Sequence, residues 1–492
     1  MSAMSAPSMP AAFDPSMLGQ LGVVVERLTN DSRRVGPGDV FVAYPGERQD
    51  GRAYIGAAIA AGAGAVLWEA EGYEWPAQWQ VPNLPVRGLR ECAGEIANHV
   101  CGEPSRGLWM VGVTGTNGKT SCSHWISQCL NALGRRTALI GTLGTGFPGA
   151  LDQTINTTPD ALLLHESLAA YRHAGAACVA MEVSSHGLAQ GRLAGASFDV
   201  ALFTNLTRDH LDYHGDMESY FAAKARLFDW PGLRHAVVNV DDAWGRRLVE
   251  RLAGRAVNVL TYGLGSAAIA GHRLDLHRMG LRLEIETPWG RGAVESALMG
   301  AYNAANLLGV LGVLLASDVP LDTALPALGR LQPVPGRMQT FGGGDAPLVV
   351  VDYAHTPDAL EQVLRALRAH LGAGLLTCVF GCGGNRDRGK RPQMGAVAAG
   401  LADRVVLTSD NPRDEDPDRI IADIAAGTGG QAAIEPDRTR AIEGAIAAAA
   451  AGDVVLIAGK GHESWQEIAG VRYPYSDASV AAQGLARRGR PA

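Results

Sequence analysis

A glycine-rich turn caught between an apolar run and a helical stretch constrains this chain more than any other feature. Residues 108–113 read LWMVGV, Gly112–Thr120 read GVTGTNGKT, and Ser121–Leu133 have helical length and composition. A turn placed after a strand and before a helix lets backbone N–H groups close around phosphate oxygens, and the helix N-terminus adds a favourable dipole. In that setting Lys119 reaches the β- and γ-phosphates of a nucleotide, and the Thr120 hydroxyl sits on Mg²⁺. The strict G-x-x-x-x-G-K-[ST] spacing is not met. Position 113 is valine, and the glycines fall at 112, 115 and 118, one residue longer than the standard loop. The context still predicts an ATP site.

The same alternation runs through the rest of the chain. Apolar runs at 137–141 (TALIG), 177–183 (ACVAMEV), 200–206 (VALFTNL) and 235–240 (HAVVNV) are separated by stretches such as Ala161–His173. Continuous apolar strands spaced by helices predict a mostly parallel sheet covered on both faces. A second set follows at 348–353, 375–380, 403–409 and 453–459. These runs lead into YAHTP, GCGGNRDRGKR, DNPRDEDP and KGHE. In an open α/β sheet the loops at the carboxyl ends of strands form the ligand crevice, so four such loops point to one site. Joints at Cys101–Gly107 and at Leu331–Met338, rich in Gly and Pro, divide the chain into 1–105, 106–338 and 339–492. Three domains suit a chain of 492 residues.

Composition excludes several classes. Lys+Arg 43 against Asp+Glu 50 gives a net charge of −7, which does not suit a generic nucleic-acid binder. Seven scattered cysteines form no CxxC pair, so neither a disulfide framework nor a zinc ribbon is indicated and a reduced, cytosolic setting is expected. The N-terminal MSAMSAPSMPAAFDPSM lacks the pattern of a secretory signal; it reads as a flexible lead-in over 1–17, with Met4, Met9 and Met17 as alternative starts. Ala297–Ser317 carries no charge, but only Leu307–Ala316 is continuously apolar, which suits a buried helix better than a membrane span.

The other candidate groups lie at strand ends. Glu182 ends ACVAME and precedes VSSHGL, and TNLTRDHLDYHG places Asp209, His210, Asp212 and His214 in one loop. A carboxylate and a histidine close to the glycine turn could hold a divalent ion between phosphates and a second reactant. His210 alone reads more readily as a strand-end capping or hydrogen-bonding residue than as a ligand, and His186 and His214 read as structural. Lys224, within the amphipathic YFAAKARLF, reads by itself as a solvated side chain. Arg386, Arg388, Lys390 and Arg391 follow a glycine turn and suit anions. In DNPRDEDP, Arg413 could take a carboxylate bidentately while Asp410 and Glu415 pair an ammonium, which suggests a zwitterionic ligand; an internal salt bridge is the alternative.

GVTGTNGKTS, MEVSSHGL, TNLTRDHLDYHG, YFAAKARLF, GAYNAANLLG, PVPGRMQ, VDYAHTPDAL, GCGGNRDRGKRP, SDNPRDEDP and AGKGHE occur in this order over about residues 28–477. Together they resemble the Mur ligases, and within them the branch that adds the third amino acid to the peptide of a peptidoglycan precursor. The resemblance implies three α/β domains: an N-terminal UDP-sugar domain, a central P-loop ATPase domain and a Rossmann-like C-terminal amino-acid domain. It implies that Gly115, Thr116, Asn117, Gly118, Lys119, Thr120 and Ser121 bind ATP phosphates, with Asn303, Arg337 and Asp352 toward the nucleotide. Asn30, Ser32, Glu47, Arg48 and Gln49 would contact the UDP-sugar, and Asn156, Thr157, Thr158, Ser184, Gln190 and Arg192 its muramoyl-peptide part. Thr120, Glu182, His210 and Lys224 match the magnesium positions, Lys224 as a CO₂-derived carbamate, which reverses its solvated reading. Arg386, Asp410, Asn411, Pro412, Arg413, Gly459 and Glu463 match a meso-2,6-diaminopimelate site. Asn385 and Trp465 stand where the family commonly has aspartate and tyrosine.

The implied reaction forms an amide on UDP-MurNAc-L-Ala-D-Glu through an acyl phosphate made from ATP, in a cytoplasmic monomer. Three alternatives stay open on the sequence: folylpolyglutamate synthase, the same chemistry with L-lysine, and an ATP-binding regulatory protein without turnover.

Overall fold

The computed structural model describes residues 14–47, 49–154 and 156–488. Arg48 therefore lies outside the described residues, as does the first part of the N-terminal lead-in. From Pro15 the chain forms a short 3₁₀ turn, Pro15–Leu21, that buries Leu18 and Leu21, so the lead-in ends before residue 17. Two compact units follow, residues 1–260 and 261–492.

The first unit contains two sheets. Strands β1 (Leu28–Thr29), β2 (Val40–Ala43), β3 (Ala65–Glu69) and β4 (Asn83–Val86) pair in sequential order, all parallel. The helix Leu89–Val100 buries Leu89, Cys92, Ala93, Ile96 and Ala97, an i, i+3, i+4, i+7 stripe facing this sheet's core. Seven more strands are β5 (Trp109–Thr114), β6 (Thr137–Gly141), β7 (Gly144–Phe147), β8 (Ala150–Asp152), β9 (Cys178–Glu182), β10 (Val200–Phe203) and β11 (His235–Asn239). Their spatial order is β11-β10-β5-β9-β6-β7-β8, parallel from β11 to β6 and antiparallel beyond. Strands β5, β9, β10 and β6 are almost wholly buried, as their unbroken apolar runs require. β5 lies between β10 and β9, so its carboxyl end delivers the glycine turn to the middle of the sheet.

Strand β12 (Asn258–Gly263) carries the chain into the second unit, where β13 (Ile269–His277), β14 (Gly280–Thr287) and β15 (Gly290–Ser296) form an antiparallel meander. Helix Ala301–Ala316 follows, and Leu307–Ala316 is buried throughout, as the uncharged run predicts. No helix among the described residues is long and apolar enough to cross a membrane. The last sheet runs β16 (Gln339–Gly342), β17 (Leu348–Asp352), β21 (Val454–Ala458), β18 (Leu376–Phe380), β19 (Arg404–Leu407) and β20 (Ala432–Ile434). Only β16 is antiparallel. The four strands read from the sequence are thus adjacent and parallel, and their following loops leave from one edge. A hairpin of β22 (Trp465–Ile468) and β23 (Val471–Pro474) completes the unit. Behind these loops Arg438 and Asp477 form a fully buried bidentate pair, with the guanidinium also donating to the carbonyls of Ser409 and Ala458. Removing one partner of such a pair costs about 3–5 kcal/mol.

Candidate active site

In the first unit the turn Gly115–Gly118 joins β5 to the helix Lys119–Ala132. Gly115 and Gly118 have φ of 151° and 88°, and a Cβ on Gly115 would collide with the Thr204 hydroxyl. The end of β10 braces the turn: Thr116 N–H donates to the Asn205 carbonyl at 2.8 Å and Asn117 N–H to the Asn205 side chain at 2.9 Å. Thr204 donates to the Asn117 carbonyl at 2.6 Å. No side chain caps the helix at Gly118, so its first-turn amides keep the orientation that receives an anion. Lys119 Nζ donates to the carbonyls of Gly115 and Thr116, both at 2.8 Å, which folds the ammonium over the turn. Ser121 is buried in the first turn of that helix.

Glu182, at the end of β9, is fully buried. Thr120 donates to its Oε2 at 2.9 Å, Thr142 donates its N–H to Oε1 at 2.8 Å and its hydroxyl to Oε2 at 3.1 Å. A Cβ on Gly141 would collide with this carboxylate, which explains the glycine there. Lys224 is 1% exposed, contrary to the solvated reading from its sequence surroundings. Its Nζ donates to the Gly115 carbonyl at 2.8 Å and lies 4.6 Å from the centroid of the Tyr220 ring. Burial, reinforced by the charge of Lys119, pushes its pKa well below that of an ordinary lysine. Tyr220 in turn shares a hydrogen bond with Thr116 at 3.2 Å.

His210 has φ 52° and starts the one-turn helix Leu211–His214. Its Nε2 lies 3.3 Å from Asp209, and its ring packs against His186 and Tyr220. His214 bonds Ser185 at 2.9 Å and is pushed down to about 4, by burial first and then by the neighbouring cations. Among the described residues no three His, Cys, Asp or Glu side chains converge as a metal cage. Oxygen donors suit Mg²⁺, so Thr120 and Glu182 fit that ion and an unmodified Lys224 amine does not.

The same unit places the residues matched to the UDP-sugar peptide. Asn30 donates to the Tyr44 hydroxyl at 3.2 Å, Ser32 opens a short 3₁₀ turn, and Gln49 accepts from Tyr54 at 3.1 Å. Glu47 accepts from Gln190 at 2.8 Å and from Tyr213 at 3.1 Å. Arg192 donates to Gln190 and to the Thr158 carbonyl at 2.8 and 2.7 Å. Thr158 donates to the Glu182 carbonyl at 2.9 Å and accepts from Ser184 N–H at 3.0 Å. Thr157 shares a hydrogen bond with Thr142 at 3.0 Å. These contacts run from Glu47 through Gln190, Arg192 and Thr158 to the main-chain carbonyl of Glu182, and Thr157 reaches the Glu182 carboxylate separately through Thr142; Asn156 is exposed.

In the second unit Asn303 donates to the Met299 carbonyl at 2.8 Å inside the start of its helix, and Arg337 lies 4.6 Å from the Tyr353 ring centroid. Asp352 ends β17 and accepts from the N–H groups of Met338 and Ala354, both at 2.8 Å; burial raises its pKa.

The loops after β19 and β21 meet in that unit. Asn411 Nδ2 donates to Glu463 Oε2 at 2.7 Å, and Asn411 N–H to Asp410 at 2.6 Å. Gly459 has φ 114° and approaches Asp410 so closely that a Cβ would stand 2.6 Å from its carboxylate. Arg413 follows Pro412, has φ 52°, and donates through Nη1 to the Gly384 carbonyl at 2.8 Å, with Nε 3.6 Å from Glu467. Arg386 is exposed alongside Gly383. The other basic groups of GCGGNRDRGKR are spent internally: Arg391 and Arg388 pair with Glu415, and Lys390 donates to the His355 carbonyl. Glu415 is therefore an internal ion-pair partner and not an ammonium site. Thr142, Asn205, Tyr220 and Lys460 did not emerge as site residues from the sequence. Asn205 and Lys460 sit inside the TNLT and KGHE motifs, the signal that points to them.

Family models for the Mur ligase family catalytic domain, the Mur ligase middle domain and the Mur ligase glutamate ligase domain match residues 24–100, 113–314 and 336–461. A protein of Chromobacterium violaceum named UDP-N-acetylmuramoyl-L-alanyl-D-glutamate–2,6-diaminopimelate ligase is 54% identical, over 97% of this chain and 98% of its own. One of the same name from Ralstonia nicotianae is 55% identical over 94% and 93%. A solved structure of a ligase of that name matches with a TM-score of 0.71 at 38% identity, over 95% of this chain and 96% of its own.

Proposed function

Because the chain belongs to the Mur ligase family, we propose that it joins 2,6-diaminopimelate to the D-glutamate γ-carboxylate of UDP-MurNAc-L-Ala-D-Glu at the expense of ATP. The observation that carries the choice of amino acid is the meeting of Asp410–Arg413 with Gly459–Glu463 beyond the carboxyl ends of β19 and β21, the two parallel strands that flank β18. It supplies a guanidinium for a carboxylate and carboxylates for an ammonium, the two signs a zwitterion needs. Lysine lacks the second carboxylate, so Arg413 is the group expected to choose between them. We assign 1–105 to the UDP-sugar, 106–338 to ATP and 339–492 to the amino acid, and take the enzyme to be a cytoplasmic monomer.

A carboxylate is a poor electrophile, and phosphorylating it creates a leaving group. The γ-carboxylate attacks the ATP γ-phosphorus, ADP leaves, and the diaminopimelate amine then attacks the acyl carbon and expels phosphate. The amides of Gly115–Ser121 and Lys119 hold the phosphates and offset repulsion between the two anions. Asn303, Arg337 and Asp352 are assigned to the nucleotide. Asn30, Ser32, Glu47 and Gln49, with Asn156–Thr158, Ser184, Gln190 and Arg192, orient the other substrate. Thr120, Glu182, His210 and a carbamylated Lys224 would hold Mg²⁺, which would supply charge neutralisation at the transferring phosphoryl group. Carbamylation needs a neutral amine: the Lys224 nitrogen attacks CO₂, an N–C bond forms and a proton leaves to solvent. Burial that depresses the Lys224 pKa supports that state.

The test is phosphate release from ATP with UDP-MurNAc-L-Ala-D-Glu and meso-diaminopimelate, L-lysine or no amino acid. Release with diaminopimelate alone is expected. Equal release with lysine would contradict the role of Arg413, and silence in all three would contradict the ligase reading.

A further inference from the structure

Lys460 lies in the KGHE loop after β21, and no role in the reaction has yet been given to it. It is among the largest fully buried side chains, 0% exposed, although nothing in a solvated loop requires a lysine to be buried. Its Nζ donates to Asn411 Oδ1 and to Glu463 Oε2, both at 2.9 Å. Asn411 closes the triangle by donating to the same Glu463 oxygen at 2.7 Å. Asn411 Oδ1 also accepts the Glu467 N–H at 2.9 Å, and Gln466 Nε2 donates to the Asp410 main-chain carbonyl at 2.7 Å, so the hairpin joins the same arrangement.

We infer that Lys460 is a positioning residue for the amino-acid substrate, fixing Glu463 and Asn411 as one rigid unit and compensating the charge of Glu463 before the substrate arrives. The inference rests on the reading of this site as the diaminopimelate site. Glu463 Oε2 is saturated by two internal donors, while its side chain stays 18% exposed. The other oxygen is left to accept from a ligand ammonium. A buried ammonium is kept only where partners repay its desolvation, and here the partners belong to the two loops that must hold one ligand between them. Lys460 therefore acts through Glu463 and Asn411 and does not touch the substrate. A residue of this kind affects recognition of diaminopimelate and leaves the phosphate turn, built in the other compact unit, unaltered.

The experiment measures steady-state KM for meso-diaminopimelate and for ATP in wild type, Lys460→Met and the double variant Lys460→Met/Glu463→Gln. Wild-type turnover with diaminopimelate is the control: its absence would defeat the site reading itself, independently of Lys460. In Lys460→Met the KM for diaminopimelate is expected to rise at least tenfold, about 1.4 kcal/mol, with the KM for ATP within twofold. A general structural defect would raise both constants or depress kcat alone, and that result overturns the inference. Should the single variant fail to fold, the double variant removes the orphaned charge and restores the melting temperature. Its KM for diaminopimelate should remain raised at least tenfold; a wild-type value there overturns the inference.

Discussion

Two lysines of this enzyme are buried to within 1% of complete exclusion from solvent, and they meet opposite surroundings. Lys224 has a backbone carbonyl and an aromatic face for partners, with a second lysine, Lys119, acting against its charge. Lys460 has a carboxylate and an amide oxygen at 2.9 Å each. Burial without a counter-ion favours the neutral amine, and burial beside a carboxylate keeps an ammonium in place. In the function proposed above, the same residue type is therefore suited to covalent modification at the proposed phosphate site and to rigid charge compensation at the proposed amino-acid site. Counting buried lysines would not separate these roles. The partners do.

The contrast can be broken from either side. The largest effect is expected for Lys224→Ala, which should lower kcat by roughly 10³ or more, with partial recovery when a short carboxylic acid is added; full activity without additive would remove Lys224 from the mechanism. Arg413→Ala should cost about 2–5 kcal/mol in kcat/KM for diaminopimelate and narrow its advantage over L-lysine. An unchanged preference would place selection elsewhere. Gly141→Ala drives a Cβ into the Glu182 carboxylate and should cost about 1–3 kcal/mol of stability together with a fall in kcat, read by thermal melting and turnover. An alanine variant with native melting and turnover would mean that the carboxylate is not held as described.

The smallest effect concerns Glu415, whose pKa is held down to about 2, by the Arg391 hydrogen bonds first and the Asn385 N–H second. A depressed carboxylate stabilises the fold fully above its ordinary value of 4.5 and loses that contribution as pH falls through about 2. The difference in melting temperature between wild type and Glu415→Gln should therefore narrow from pH 7 to pH 3. A constant difference would contradict the ion-pair assignment.

Much of this was legible in the sequence because fully buried parallel strands leave unbroken apolar runs: TALIG and Ala161–His173 coincide with their elements to the residue. The glycine turn was legible because positive φ demands glycine at 115 and 118. The meander Ile269–Ser296 was not, since its strands alternate buried and exposed residues and carry charges throughout. Lys224 was misread from its own helix because the group that receives its ammonium, the Gly115 carbonyl, lies 109 residues away. Glu415 looked like a ligand group for the same reason; Arg391, which claims it, lies at the start of the helix Lys390–Leu401, beyond a different strand. Side-chain partners set by topology are invisible until the strands are ordered.

The most direct test of the contrast is carbon-13 NMR of the protein equilibrated with ¹³C-bicarbonate, for wild type and Lys224→Ala. One carbamate carbon signal in wild type, absent from the variant and unaffected by Lys460→Met, is the predicted result. A wild type without that signal, or a signal that survives loss of Lys224, would contradict the account of the lysine buried without a counter-ion.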